Sequence, residues 1–125
     1  MHQPKETLPI QMEGDGVIMR STPWGGMAAN FQQMPGGLDL TPMFRGLPDD
    51  ACQCPHWGYV IEGSVHVGYT DGSEETVRAG DVYHWPAGHT VSFTEDAQFV
   101  EFSPEHEMAA VVGHVQAQAA AAAGA

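Results

Sequence analysis

The sequence predicts an all-β protein of antiparallel strands, a barrel or sandwich carrying one short C-terminal helix. Three observations carry that expectation. Short apolar or alternating runs are separated by turn residues about every 8–12 positions, the spacing of an antiparallel barrel or sandwich. Fifteen glycines and nine prolines among 125 residues supply those turns. Only after Pro104 does the pattern change to helix formers with apolar residues three and four apart.

Residues 1–15 read as a polar N-terminal arm or irregular lead-in strand, broken by Pro4 and Pro9. The barrel is expected over residues 16–103. Its runs begin with Val17-Ile18-Met19 and continue from Met27 to Met34, stopping at Pro35-Gly36-Gly37. Asp39 to Arg45 reads as the next run, ended by Gly46-Leu47-Pro48-Asp49-Asp50. Tyr59-Val60-Ile61 and Ser64 to Thr70 follow, and Asp71-Gly72 is a tight-hairpin signal. Glu74 to Arg78, Val82 to Trp85, Thr90 to Thr94 and Gln98 to Phe102 complete the series. In residues 104–125, Pro104 suits a helix start, and Glu105 and Glu107 suit its first turn. Met108, Val111, Val112 and Val115 make one apolar stripe, ready to dock on the barrel or on a partner subunit. The Ala-rich end, Ala117 to Ala125, is low in complexity and fits either a continued helix or a disordered tail.

The chain length suits one domain with one core. Sixteen acidic residues against four Lys plus Arg give a formal charge of −12. Such a surface repels phosphate backbones and anionic lipid, so neither nucleic acid nor membrane is an expected partner. The N-terminus lacks the basic and apolar regions of a signal peptide, and a cytoplasmic protein is expected. Cys52 and Cys54 are one residue apart, so a disulfide between them would close a strained ring and cross-link nothing distant. Thiols or metal-bound thiolates are the better reading.

The candidate chemistry lies in two segments. In Cys52-Gln53-Cys54-Pro55-His56, an extended chain puts Asp50, Cys52, Cys54, His56 and Val60 on one face. Two soft sulfur ligands and one imidazole suit zinc or another late transition metal. A straight strand would hold Cys52 roughly 13 Å from His56, so Pro55 and Gly58 matter as places to bend. Cys54 and His56 are the nearer pair, with Cys52 the weaker candidate. In Gly80-Asp81-Val82-Tyr83-His84-Trp85-Pro86-Ala87-Gly88-His89, His89 follows a Pro-x-Gly turn and opens the next strand. A barrel that sets the strand of residues 56–62 beside that of residues 89–94 would bring His56 and His89 into one cavity.

These segments resemble the cupin superfamily over about residues 38–103. Val60-Ile61-Glu62-Gly63 matches the end of the first cupin motif, and Gly80-Asp81 through His89 matches the second. The resemblance implies a double-stranded β-helix, or jelly-roll barrel, and a divalent metal in its interior. It also implies a homodimer, and the tail helix or the N-terminal arm is expected to take part. The sequence departs from the family's three-His-one-Glu ligand set. Counted back from Gly63, His56 stands where the Glu is usual, Cys52 at the second His and Asp50 at the first. Val91 occupies the usual second-motif His position, and His89 comes two residues earlier, on the same strand face.

The functional expectation is a metal-dependent enzyme of isomerase, cyclase or dioxygenase type. Its substrate would be a small, largely apolar molecule bearing oxygen. His56, His89, Cys54 and Cys52 are the candidate ligands, for zinc first, with iron, nickel or copper as the other choices. Tyr83 and His84 are candidates for moving protons, and Trp57, Tyr59, Trp85 and Phe93 are candidates for the pocket wall. Each has a plainer reading beside it: hydrogen-bonded histidines without metal, cysteines as small core residues, a structural His84 and aromatic residues that simply pack. Met12, Met19, Met27, Met34 and Met43 suit either a soft cavity wall or ordinary core. His2, His66, His106 and His114 read as surface residues. A non-enzymatic ligand-binding barrel and a structural dimeric barrel are the alternatives.

Overall fold

The computed structural model describes residues 1–124. Its strands are β1 (Ile10–Gly14), β2 (Val17–Trp24), β3 (Met27–Met34), β4 (His56–Glu62), β5 (Ser64–Tyr69), β6 (Glu74–Arg78), β7 (Val82–Trp85), β8 (His89–Ser92) and β9 (Ala97–Pro104). One helix, α1 (Glu105–Gly124), follows them. Six strands form an antiparallel sheet in the order β1-β2-β3-β9-β4-β7, and three form a second in the order β6-β5-β8. The core lies between the sheets and is built from alternate residues, such as Val65 and Val67 on β5 and Ala97, Phe99 and Glu101 on β9. This is the jelly-roll barrel with a C-terminal helix that the sequence predicts.

The residues before β2 are part of the fold. β1 pairs with β2, and Leu8 is buried on the outer side of the sheet near Phe31. Lys5 Nζ sits 5.4 Å over the Phe31 ring. That cover explains why β3 is buried on both faces while most strands alternate.

One expected strand is absent. Asp39 to Arg45 contributes a single bridge, Asp39 to Ser92, and then turns into a 3-10 helix, Thr41–Phe44. The Asp39 carboxylate accepts the Thr41 N–H at 2.9 Å in an Asx turn, and Pro42 follows in the first turn of the helix, so local turn chemistry overrides the apolar run. At the β4–β5 turn, Gly63 has φ +75, and a Cβ there would lie 2.0 Å from the Asp96 carbonyl oxygen. The glycine that closes the first motif is therefore required sterically.

Helix α1 lies over one end of the barrel. Met108, Val111, Val112 and Val115 are all buried against the core, so the stripe docks on its own barrel. Its polar side is tied down as well. His114 Nε2 and Gln118 Nε2 each reach the Arg45 carbonyl at 2.7 Å, and Gln116 Nε2 donates to the Gln11 carbonyl. His114 is thus half-buried rather than a free surface residue. The Ala-rich segment continues the helix to Gly124, and Ala125 lies outside the described residues. No described helix is long and apolar enough to cross a membrane.

Candidate metal centre

Pro55 ends an irregular stretch, and β4 begins at His56. From there the pleat decides what faces inward: His56 and Val60 are buried, while Trp57 and Tyr59 are exposed. Cys52 arrives by another route. It makes an isolated antiparallel bridge with His89, in which Cys52 N–H donates to the His89 carbonyl and Gly88 N–H to the Cys52 carbonyl, both at 2.8 Å. That bridge draws the segment before β4 onto the start of β8. The expectation that β4 and the His89 strand lie side by side is therefore corrected. β4 pairs with β7 and β9, and β8 pairs with β5. His56 and His89 meet across the barrel interior, with ring centroids 5.1 Å apart.

Cys52, His56 and His89 each place one ligand atom within 4.8 Å of the other two, and all three are buried. Cys52 Sγ is 3.7 Å from His56 Nε2. The bend before Pro55 removes the separation that a straight strand would impose. Cys54 is buried but does not join this group; its Sγ lies 3.5 Å from the Pro55 carbonyl. The relative weight of the two cysteines is thus reversed, because the bridge to β8 moves Cys52 inward.

Hydrogen bonds prepare the two imidazoles. His89 Nδ1–H donates to the Pro86 carbonyl at 2.7 Å, which fixes its tautomer and leaves Nε2 as the free nitrogen. His56 Nδ1 is 2.5 Å from Ser103 Oγ and 3.4 Å from Glu101 Oε2. Ser103 in turn accepts from Asn30 Nδ2, and Ser21 donates to Asn30 Oδ1, so the support runs across β9, β3 and β2. With Nδ1 engaged by this network, His56 Nε2 is the nitrogen that faces Cys52.

Burial sets the charge states. It holds His56 at about 3 and His89 at about 4, with the neighbouring histidines adding to the effect. It also pushes the Cys52 and Cys54 thiols up to about 12. Both imidazoles are therefore neutral at pH 7, as metal ligation requires, and Cys52 would give up its proton to a bound cation. One thiolate and two neutral imidazoles with a carboxyl nearby fit zinc or another late transition ion.

Glu101 is the residue that the sequence reading missed. It is fully buried, and burial raises its carboxyl to about 7. The Tyr83 hydroxyl donates to Glu101 Oε1 at 2.7 Å, and burial followed by the nearby Glu101 pushes the Tyr83 pKa far upward. Gly58 makes this contact feasible, since a Cβ there would lie 2.5 Å from the Tyr83 hydroxyl oxygen. A signal did exist: Glu101 shares the inward phase of β9 with Ala97, Phe99 and Ser103. Phe102 on the other phase hides it.

The cavity beside these groups measures about 50 Å³ and is walled by Met19, Met34, Trp85 and Phe99, with Met108 and Val111 from α1. Other pocket candidates stand elsewhere. Trp57 and Tyr59 are on the outer face of the sheet, and Phe93 stacks on Phe99 within the core. His84 also points outward. It stacks on Trp57 with centroids 4.6 Å apart, and its Nδ1–H donates to the His56 carbonyl. Alternation along β7 puts Tyr83 and Trp85 inside and His84 outside.

No family model matches the sequence, and no curated protein is similar to it at the sequence level. Solved structures are similar in fold. An RmlC-like cupin from Shewanella frigidimarina is 20% identical with a TM-score of 0.58, over 82% of this chain and 88% of that one. Ectoine synthase from P. lautus is 12% identical with a TM-score of 0.61, over 83% and 77%. A putative ethanolamine utilization protein Q from Salmonella typhimurium is 21% identical with a TM-score of 0.55, over 74% and 77%. The two sheets, the glycine-closed β4–β5 turn and these likenesses agree on one architecture: the chain has the cupin fold.

Proposed function

We propose that this protein is a metal-dependent cupin enzyme acting on a small, largely apolar molecule that carries oxygen. The observation that carries the proposal is the group formed by Cys52, His56 and His89, gathered within 4.8 Å in a buried cavity. These three residues would hold the ion, zinc first, with iron, nickel and copper as the other choices. When bound, such an ion polarises an oxygen of the substrate. Glu101 is the group that holds or moves a proton, because its carboxyl sits at about 7 beside His56. The Tyr83 hydroxyl orients that carboxyl by donating to Oε1. His84 is assigned no proton transfer, since it lies on the other side of β7. Isomerisation, cyclisation and dioxygenation all remain in view.

The test is elemental analysis of the purified, untagged protein, repeated on His56→Ala and His89→Ala. Near-stoichiometric metal that falls in both variants supports the proposal and names the ion. Metal far below stoichiometry after reconstitution overturns it.

A homodimer is proposed on a separate observation. Trp57, Tyr59, Val82 and Phe102 are 45%, 46%, 81% and 44% exposed. Trp57 is paired with Phe102 and Tyr59 with Val82, so the four form one apolar patch at the β7 edge of the larger sheet. Patches of this kind mark association surfaces. A second copy covering this face would also cover the edge strand. We place the protein in the cytoplasm on the strength of its two buried, unlinked thiols.

A further inference from the structure

Cys52, His56 and His89 are all buried, so a molecule that meets them needs a way in. Most of the cavity wall belongs to strands held by main-chain ladders. Leu40, outside the strands, is fastened as well: its N–H donates to the Val91 carbonyl at 3.0 Å. Helix α1 is held differently. Among the described residues, its one main-chain bond to the barrel is at its first residue, where Glu105 N–H donates to the Gly26 carbonyl. Beyond that point side chains alone hold it, so the seam beside α1 is the part of the wall that opens most easily.

A groove of about 180 Å³ runs along that seam, between Ser21, Pro23 and Ala28 of β2 and β3 and Glu105, Met108 and Ala109 of α1. Pro23, Glu105 and Ala109 are exposed and form its rim. Met108 is the one residue that lines both this groove and the metal cavity. The two spaces therefore share a wall made by a long, unbranched and flexible side chain. A second link joins them. Ser21, in the groove, donates to Asn30, whose amide donates to Ser103, the partner of His56 Nδ1. The groove thus stands at the outer end of the chain that orients a metal ligand.

We propose that the groove between β2 and α1 is the entry port of the metal cavity, that Met108 is its gate, and that it admits small uncharged molecules. When the Met108 side chain swings aside, groove and cavity become continuous. The charge class follows from the lining. No Lys or Arg is among the lining residues, and the Glu105 carboxylate stands on the rim of a chain of formal charge −12, so an anion is repelled before it enters. Further in, Ala28, Met108 and Val112 offer a charged group of either sign nothing in return for its water. The inference rests on the reading above for what the entering molecule meets, and deepens it by giving that site a route and a filter.

The experiment follows alkylation of Cys52 in metal-free, full-length protein by tandem mass spectrometry. Iodoacetamide and iodoacetate are the probes, nearly equal in size and different in charge, and each rate is divided by that for glutathione. Ala109→Phe fills the groove from its exposed rim and should slow iodoacetamide about tenfold. Met108→Ala should speed it about tenfold, whereas Val115→Ala, which trims the metal cavity without touching the groove, should stay within about twofold of wild type. Iodoacetate should lag iodoacetamide by about fivefold or more, and Glu105→Gln should narrow that gap. An unchanged rate in Ala109→Phe overturns the port, and because that position is exposed the result stands even if Met108→Ala fails to fold. Rates that simply follow urea stability across the variants overturn the gate, since Cys52 then reacts only through global unfolding. Equal normalised rates for the two probes overturn the filter. Zinc protection of wild-type Cys52 reports the metal site separately. Slowing in Ala109→Phe without zinc protection sinks the metal reading and leaves the port, and protection without slowing does the reverse.

Discussion

Replacing Glu101 with Gln isolates one buried proton. In the folded chain burial holds the carboxyl at about 7, against an ordinary value of 4.5. Between those limits the unfolded chain has released the proton and the folded chain still binds it. Stability must then fall as pH rises, by about 1.4 kcal/mol per pH unit. The loss sums to about 3 kcal/mol by pH 7 and is constant above it. His56 and His89 act in the opposite sense. Their folded values, about 3 and about 4, lie below the ordinary 6.5, so each adds stability as pH rises toward 6.5. The wild-type curve is therefore composite, and its slope alone is ambiguous. Subtracting it from that of Glu101→Gln cancels the surface carboxylates and the larger, burial-driven part of the histidine contribution, leaving only the part of the His89 shift that Glu101 itself causes. The amide keeps an acceptor for the Tyr83 hydroxyl but carries no proton to lose. Urea unfolding of the metal-free proteins, at constant ionic strength from pH 4.5 to 8, measures both curves. The variant should gain about 3 kcal/mol relative to wild type across that range, with most of the gain complete by pH 7. A difference that does not vary with pH would refute the reasoning, since Glu101 would then already be ionised inside the fold.

Zinc binding near pH 7.5 should release about one proton, because both imidazoles are already neutral and the Cys52 thiol sits at about 12. Calorimetry in buffers of different ionisation enthalpy counts it, and zero release argues against thiolate ligation. Cys52→Ser should weaken zinc binding by about a hundredfold or more, whereas Cys54→Ser should change it by less than about threefold; equal losses in a competition titration would mean that both sulfurs serve the ion. Val82→Glu places a charge on the exposed patch and should convert a dimer to a monomer at micromolar concentration, read by sedimentation; an unchanged dimer would move the interface elsewhere. Gly63→Ala should destabilise the fold by about 3 kcal/mol or more, from overpacking against the Asp96 carbonyl and the strained positive φ, and a thermal midpoint within error of wild type would contradict that contact.

The fold was legible because its signals are local. Gly, Pro and Asp-Gly turns cut the chain at nearly the right places, and β3, β6 and β7 begin and end where the runs do. Asp39 to Arg45 misled because apolar content was read without Asp39 and Pro42, whose Asx turn and fixed φ lead into a 3-10 turn. The site was legible only in part, for a different reason. His56, Cys52 and His89 could be named from residue type, but their convergence depends on an irregular bridge between Cys52 and His89, which no strand periodicity encodes. Trp57 and Tyr59 misled through size: large aromatic residues suggest a pocket, yet the phase of β4 is fixed by His56 and Val60 and sends both outward. Glu101 was hidden because both phases of β9 carry a phenylalanine.

The plainer account of the site, buried histidines that merely pack, meets a difficulty in their hydrogen bonds. A structural imidazole with no access to water gains by engaging both ring nitrogens. Here the protein serves one nitrogen of each ring well and leaves the other to the cavity. His89 gives Nδ1–H to a main-chain carbonyl at 2.7 Å, and His56 meets Ser103 Oγ at 2.5 Å through Nδ1. The contact of His56 Nε2 is a thiol at 3.7 Å, a weak partner for a buried nitrogen. Ser103 is fully buried, and Asn30 and Ser21 on other strands hold it in turn. A chain of three polar residues reaching inward to orient one ring is costly in a core, and packing alone offers nothing to offset it. An ion bound to the free nitrogens and to Cys52 would offset it.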